Sequence, residues 1–288
     1  MKISEIIMSG KPTLSMEVFP PKTSDKFDSI KQATEQIAAL KPDFMSVTYG
    51  AGGGTSEFTA DICANIQNKY DVPALAHLTC VSSDKEKISS VVENFKAKGI
   101  QNILALRGDI PEGFDRSLCR YHYASELIDD IRSHGDFCIG GACYPESHPE
   151  SESSFSDIAN LKIKVDKGCE FLTTQMFFDN NILYNFMYRI REAGIRVPVV
   201  AGIMPVTNAS QIKRIMSISA SALPQRFIRI VDRYGSDPNA MRQAGIAFAT
   251  EQIIDLYANG INSVHIYTMN RPDVAKAIMD NLSYIIKK

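Results

Sequence analysis

Eight times along the chain a short apolar run is followed by a stretch in which apolar residues recur at helical spacing, and this alternation constrains the fold more than any other feature. The runs lie at Leu14–Phe19, Phe44–Thr48, Ala74–Thr79, Gln101–Asp109, Phe137–Cys143, Glu170–Met176, Val197–Ile203 and Ser263–Thr268. Helical spacing is carried after the first run by Phe27, Ile30, Ala33, Ile37 and Leu40. It continues through Glu57–Lys69, Asp84–Lys98, Tyr123–Ser133, Phe155–Lys167, Ile182–Ala193, Ala209–Ser219, a longer region from Pro224 to Ala258, and Val274–Ile286. A turn of helix with Ile3, Ile6 and Ile7 precedes them all. Strands alternating with helices demand a parallel sheet with right-handed crossovers, and eight such units close as a (β/α)8 TIM barrel, an α/β fold. An open doubly wound sheet is the alternative. It lacks its usual mark, because Gly50-Ala-Gly-Gly-Gly54 follows the second strand and has the wrong spacing for a dinucleotide turn.

A chain of 288 residues suits one such barrel, and no stretch reads as a linker, so a single domain over 1–288 is expected. Net charge is −2 with no long basic run, which leaves no electrostatic footprint for nucleic acid or an anionic membrane. Glu5 interrupts what would be the apolar core of a signal peptide, and no apolar stretch is long enough to span a bilayer, so a cytoplasmic protein with a small-molecule ligand is expected. The six cysteines show no metal-binding spacing and read as small buried thiols.

In a parallel barrel every strand ends on the same rim. The strand ends here supply Glu17, Thr48, Tyr49, His77, Thr79, Arg107, Asp109, Tyr144, His148, Gln175 and the segment Tyr267–Arg271. Polar residues are common at such ends, and Arg107-Gly108-Asp109 alone could be a surface turn. Glu17 and His77 carry more weight because they lie within apolar sequence, where an unpaired polar group is costly. Partial desolvation raises a carboxyl's pKa, so Glu17 is a candidate proton donor, with a structural ion pair as the plainer alternative. No lysine sits at a strand end for Schiff-base chemistry, and no His/Asp/Glu group has metal-ligand spacing, so no metal is expected. The acid therefore serves a reaction whose electrons come from a cofactor. Asp157, Asn160 and Lys164 are spaced i, i+3, i+7 on the helix after the fifth strand and, with Arg107 and His148, could clamp a diphosphate and ribose. A solvated helix face is the plainer account of the same spacing.

Taken together, Ser15-Met-Glu-Val-Phe-Pro-Pro21, Ser46-Val-Thr-Tyr-Gly-Ala51, Ala76-His-Leu-Thr-Cys80, Ala105-Leu-Arg-Gly-Asp109 and Tyr144-Pro-Glu-Ser-His-Pro149 resemble motifs of the methylenetetrahydrofolate reductase family. The resemblance continues, in order, through Asp157-x-x-Asn-Leu-Lys-x-Lys164, Thr174-Gln-Met-Phe-Phe-Asp179, Gly202-Ile-Met-Pro-Val206 and His265-x-Tyr-Thr-Met-Asn-Arg271. It implies a flavin-dependent barrel that reduces 5,10-methylenetetrahydrofolate to 5-methyltetrahydrofolate, using FAD and either NADH or NADPH, and supplies methyl groups for methionine synthesis. The chain resembles the short bacterial form, the catalytic barrel alone, and is expected to form a homo-oligomer. Carried over by position, Glu17 falls on the family's proton donor to the folate imidazolidine ring, and Asp109 on the carboxylate near flavin and folate. Thr48, Tyr49, Ala51, His77, Arg107, Gly108, Asp109, Ala124, Tyr144, His148, Asp157, Asn160 and Lys164 fall on FAD contacts. Gln175, Gln211 and Arg271, with Glu17 and Asp109, fall on substrate contacts. Ile215 departs from the pattern by standing where an aromatic residue is expected, and the loop from Ile110 to His122 departs in length and composition. Two other classes fit parts of this reading: another FAD barrel, similar to proline dehydrogenase, and a folate- or flavin-binding barrel without catalysis.

Overall fold

The computed structural model describes residues 1–21, 27–49, 56–110, 113, 115, 119–218 and 222–286. Its strands are β1 (Thr13–Val18), β2 (Met45–Val47), β3 (Ala74–Thr79), β4 (Asn102–Leu106), β5 (Cys138–Cys143), β6 (Phe171–Thr174), β7 (Val199–Ile203) and β8 (Ser263–Tyr267). They pair in chain order, all parallel, and β8 returns to β1 to close the barrel. Closure removes the alternative of an open sheet. Helix α1 (Ile3–Ile7) precedes β1, and α2 (Phe27–Ala38), α3 (Ser56–Tyr70), α4 (Lys85–Ala97), α5 (Ala124–His134), α6 (Ser154–Asp166) and α7 (Asn180–Glu192) follow β1 to β6 in turn. After β7 come α8 (Ala209–Ile218), α9 (Gln225–Tyr234) and α10 (Pro238–Ala258), and α11 (Pro272–Leu282) follows β8. Among the described residues no helix is long and apolar enough to cross a membrane.

Strand side chains alternate between two faces, and in this barrel the two faces meet two different cores. Outward-facing Leu14, Met16, Met45, Ala76, Ile103, Leu172, Ala201 and Ile266 pack under the helices. Inward-facing Phe44, Leu75, Leu104, Cys138, Phe171 and Val200 fill the lower interior, where Ile3 and Ile7 of α1 join them from below. The N-terminal helix is thus a plug. Its first amide, Ile3 N–H, donates to Asn102 Oδ1 at 2.9 Å, and the Asn102 amide donates to Ala74 O at 3.2 Å, so the plug is tied to β3 and β4. Gly140 makes room for the largest interior ring. A Cβ built there would lie 2.4 Å from Phe171, its partner across β5 and β6.

Several boundaries differ from the sequence expectation. The long helical region divides into α9 and α10 because Asp237 caps a new helix, accepting from the Asn239 and Ala240 amides at 2.9 and 3.2 Å, with Pro238 in the first turn. The last helix starts two residues early at Pro272, with the proline in its first turn but no side-chain cap, and its helical run stops at Leu282 rather than Ile286. Strand β4 stops at Leu106, which leaves Arg107, Gly108 and Asp109 in the loop. Gly108 turns that corner at φ +88°, and a Cβ there would meet Val81 Cγ1 at 2.8 Å, so only glycine fits.

Candidate active site

The upper interior of the barrel is polar where the lower interior is apolar. Strand register sets Glu17 beside Ser46 of β2 and Tyr267 of β8, and Ser15 beside His265. Glu17 Oε2 lies 3.5 Å from Ser46 Oγ, 3.6 Å from His77 Nε2 and 3.9 Å from His265 Nε2, with the side chain only 19% exposed. Glu17, His77 and His265 line a cavity of about 150 Å³ at the barrel mouth, floored by Leu75, Leu104 and Leu106 and flanked by Tyr144 and Gln175. Burial pushes the His77 imidazole down to about 4, against the opposing pull of Glu17, so the ring is neutral at neutral pH. Its Nε2 is buried and has no hydrogen-bond partner among the described residues. A buried ring nitrogen left without a partner costs free energy that a bound ligand atom recovers.

The residues matched to flavin contacts gather on one sector of the rim, at the ends of β2 to β5 and on the helices behind them. Thr48 and Tyr49 follow β2, Arg107, Gly108 and exposed Asp109 follow β4, and Tyr144 and His148 follow β5. Ala124 begins α5 and is buried. Ala51 lies outside the described residues. Arg107 makes a bidentate pair with Glu150, at 2.9 and 2.7 Å, which holds its guanidinium above the usual range. Tyr144 and His148 pack edge to face at 4.6 Å. Burial, reinforced by Asp109, pushes the Tyr144 phenol up to about 12, whereas burial and then Arg107 push His148 down.

Helix α6 carries Asp157, Asn160 and Lys164 as the spacing requires, yet the three side chains part company. Asp157 accepts from His148 N at 3.3 Å and Ser151 Oγ at 3.1 Å, and so braces the preceding loop. Asn160 stays exposed. Lys164 turns inward and donates to Ala142 O at 2.6 Å, with burial lowering its pKa. The reason is Gly141: a Cβ there would lie 2.8 Å from Lys164 Cδ, so the lysine stem occupies the space a side chain would fill. The three side chains thus serve as one loop brace, one exposed amide and one half-buried lysine bonded to the β5 backbone.

Of the residues matched to substrate contacts, Gln175, Gln211 and Arg271 come from the other sector, after β6, β7 and β8. Gln175 lines the cavity, and its Oε1 accepts from Met176 N at 2.9 Å. Gln211 Oε1 accepts from Thr207 N and Asn208 N at 3.0 and 3.1 Å, which ties the start of α8 to the loop after β7. Arg271 binds Asp273 through Nε and Nη2 at 3.1 and 3.0 Å, and Arg242 reaches the same carboxylate. That pairing holds the Asp273 carboxyl down to about 2. The turn carrying Arg271 is locked onto the exit of β1: Asn270 exchanges two bonds with the Phe19 backbone at 3.0 and 2.9 Å, and Thr268 Oγ1 donates to Glu17 O at 2.6 Å. Met269 and Asn270 both take left-handed φ, at 54° and 52°, to make the turn. Ile215 is buried in a third cluster with Met176, Phe178 and Phe227.

Sequence reasoning did not single out Ser15, Ser46, His265 or Glu150. His265 had a readable signal, since it lies between Val264 and Ile266 as Glu17 lies between Met16 and Val18. The two serines are small enough to pass for filler, and Glu150 meets Arg107 from an irregular loop that no periodicity describes.

A family model described as methylenetetrahydrofolate reductase matches residues 2–283. The chain is 37% identical to methylenetetrahydrofolate reductase (NADH) 1 of Arabidopsis thaliana over 99% of its own length and 50% of that protein. It is 34% identical to 5,10-methylenetetrahydrofolate reductase of Pectobacterium carotovorum over 96% of its length and 91% of that protein. It therefore spans about half the length of the plant relatives and nearly all of the bacterial one. Among solved structures, an uncharacterised protein from Clostridium thermocellum that binds two copies of 5-methyl-5,6,7,8-tetrahydrofolic acid superposes with a TM-score of 0.65 over 99% of this chain and 98% of that one. At 15% identity that likeness speaks for the fold alone.

Proposed function

Since the chain belongs to the methylenetetrahydrofolate reductase family, we propose that it reduces 5,10-methylenetetrahydrofolate to 5-methyltetrahydrofolate in a flavin-dependent reaction, with NADH or NADPH as the electron donor. The observation that carries the reading is Glu17: a mostly buried carboxyl inside the barrel mouth, with hydroxyl and imidazole groups around it and no arginine or lysine among its described partners. A general acid needs that setting, because a guanidinium alongside would hold it as a carboxylate. Glu17 gives its proton to a nitrogen of the folate imidazolidine ring, and the ring opens to an iminium that accepts hydride.

FAD, when bound, supplies that hydride after receiving it from the reduced nicotinamide. The residues present fit it. His77 offers a buried ring nitrogen without a hydrogen-bond partner among the described residues, Leu104 and Leu106 offer apolar surface beside it, and Arg107, His148, Asp157 and Asn160 stand on the adjoining rim for phosphate and ribose. Asp109 adds negative charge at the mouth, which favours a cationic folate over a neutral one. Arg271, on its anchored turn, is suited to a folate carboxylate. Supply of methyl groups for methionine synthesis, a cytoplasmic setting and assembly into a homo-oligomer belong to the same proposal.

The test is a pair of anaerobic mixings. The purified protein should show flavin absorbance that NADH or NADPH bleaches and 5,10-methylenetetrahydrofolate restores, with 5-methyltetrahydrofolate as product. A flavin that bleaches but is never reoxidised by the folate would refute the reaction and favour a binding protein.

A further inference from the structure

One peptide unit in the cavity wall is gripped at both ends. Strands β6 and β7 pair as far as Thr173 and Val200. Beyond that point the link between them runs through a side chain, because Gly202 N–H donates to Thr174 Oγ1 at 2.9 Å. The Thr174 carbonyl takes a donor from one strand further round the barrel, where the Tyr267 hydroxyl of β8 reaches it at 2.5 Å. A carbonyl only accepts, so the direction of this bond is fixed. At the other end of the same peptide, Gln175 N–H donates to Cys143 O of β5 at 2.7 Å. The unit that leads into Gln175 is thus held from β8 and from β5 at once.

Tyr267 reaches across β7 because the strand between carries no side chain at that point. A Cβ built on Gly202 would lie 2.5 Å from the Tyr267 hydroxyl oxygen and 2.7 Å from its ring. The ring stands edge-on to His265 at 5.5 Å and packs against the cluster containing Met176 and Phe178. Burial pushes the phenol well above its ordinary value, so the hydroxyl keeps its proton throughout the neutral range.

What this grip holds is Gln175. Its Oε1 accepts from the Met176 amide, and its Nε2 donates to no group among the described residues. Gln175 lines the same cavity as Glu17, so two N–H donors remain there for a ligand. We propose that Tyr267 is a positioning residue for folate binding: through the Thr174 carbonyl it fixes the backbone from which Gln175 reaches the substrate, and Gly202 is the opening that lets it do so. This rests on the reading of Gln175 as a substrate contact. A peptide that loses its carbonyl partner gains torsional freedom at Thr174 ψ and Gln175 φ, and the second of these torsions aims the Gln175 side chain.

The test compares three variants of the holoenzyme, Tyr267→Phe, Gln175→Ala and the two together. Each is titrated calorimetrically with 5-methyltetrahydrofolate, and its flavin reoxidation is followed against the concentration of 5,10-methylenetetrahydrofolate. Tyr267→Phe keeps the ring and removes only the hydroxyl. Loss of that one hydrogen bond should weaken folate binding by about five- to tenfold, while reoxidation at saturating folate stays within about twofold of normal. Gln175→Ala should weaken binding by at least as much. In the double variant Tyr267→Phe should add less than about twofold, because the side chain it places is gone. A tyrosine that only supports the fold would lower Tm in both backgrounds and its effect on binding would multiply with that of Gln175→Ala. Multiplied losses overturn the proposal, as does unaltered folate binding by Tyr267→Phe. Unaltered binding by Gln175→Ala would show instead that the substrate contact was misassigned, and an unsubstituted protein that binds no folate would refute the function itself.

Discussion

The buried His77 makes acid stability a quantitative test of the site. An imidazole whose ordinary value is 6.5 is pushed by burial to about 4 in the folded chain. Between those two values the unfolded chain binds a proton that the native state refuses, so stability rises with pH across that window and is undiminished above it. At about 1.4 kcal/mol for each tenfold change in proton affinity, the full penalty is about 3 kcal/mol below pH 4, of which about 2 kcal/mol accrues between pH 7 and pH 5. Other groups titrate in the same range, and His77→Gln removes this one while putting a neutral, polar amide in its place. Urea unfolding followed by circular dichroism, at fixed ionic strength from about pH 5 to pH 7.5, gives the two slopes. The unsubstituted protein should lose about 2 kcal/mol more than the variant over that interval, whatever the variant's stability at pH 7. Parallel slopes would refute the neutral, buried assignment of His77.

Three further outcomes follow from packing and pairing. Gly140→Ala drives a methyl group to within 2.4 Å of the Phe171 ring and should cost about 1–3 kcal/mol, read as a fall of several degrees in Tm, with Phe171→Leu in the same chain recovering part of it. An unchanged Tm would mean that the interior is looser than described. Glu150→Gln releases Arg107 from its bidentate partner, and because the pair is partly exposed and worth about 1 kcal/mol at most, flavin affinity should rise by up to about fivefold in a fluorescence titration. Weaker binding would show that Glu150 itself holds the ligand. Asn270→Ala removes two bonds to the Phe19 backbone and the residue type that best tolerates left-handed φ, so KM for the folate should rise more than kcat falls as the Arg271 turn loosens. An unaltered KM would separate that turn from substrate binding.

The barrel was legible because its signal is repeated eight times and depends only on side-chain period. Glu17 and His77 were legible for a second reason: each interrupts an apolar run, and a polar group placed there must have a use. His265 obeys the same rule within Val264-His265-Ile266 and was recoverable by it. Ser15 and Ser46 were not, because a serine in a strand carries little cost and its meaning appears only when register sets it beside a particular imidazole. Helical spacing fixed the face of α6 but not the path of the Lys164 stem, which depends on the missing Cβ of Gly141 on another element. The Arg107 and Glu150 pair joins residues 43 apart through an irregular loop, and neither period nor propensity reaches across such a distance.

The role of Glu17 is best measured by separating the two halves of the reaction in a stopped-flow instrument. Glu17→Gln keeps the shape of the side chain and removes its acidity. The variant should still have its flavin reduced by NADH or NADPH at close to the normal rate, while reoxidation by 5,10-methylenetetrahydrofolate falls by at least about a hundredfold, the range of a lost general acid. Reoxidation at the normal rate would contradict the account.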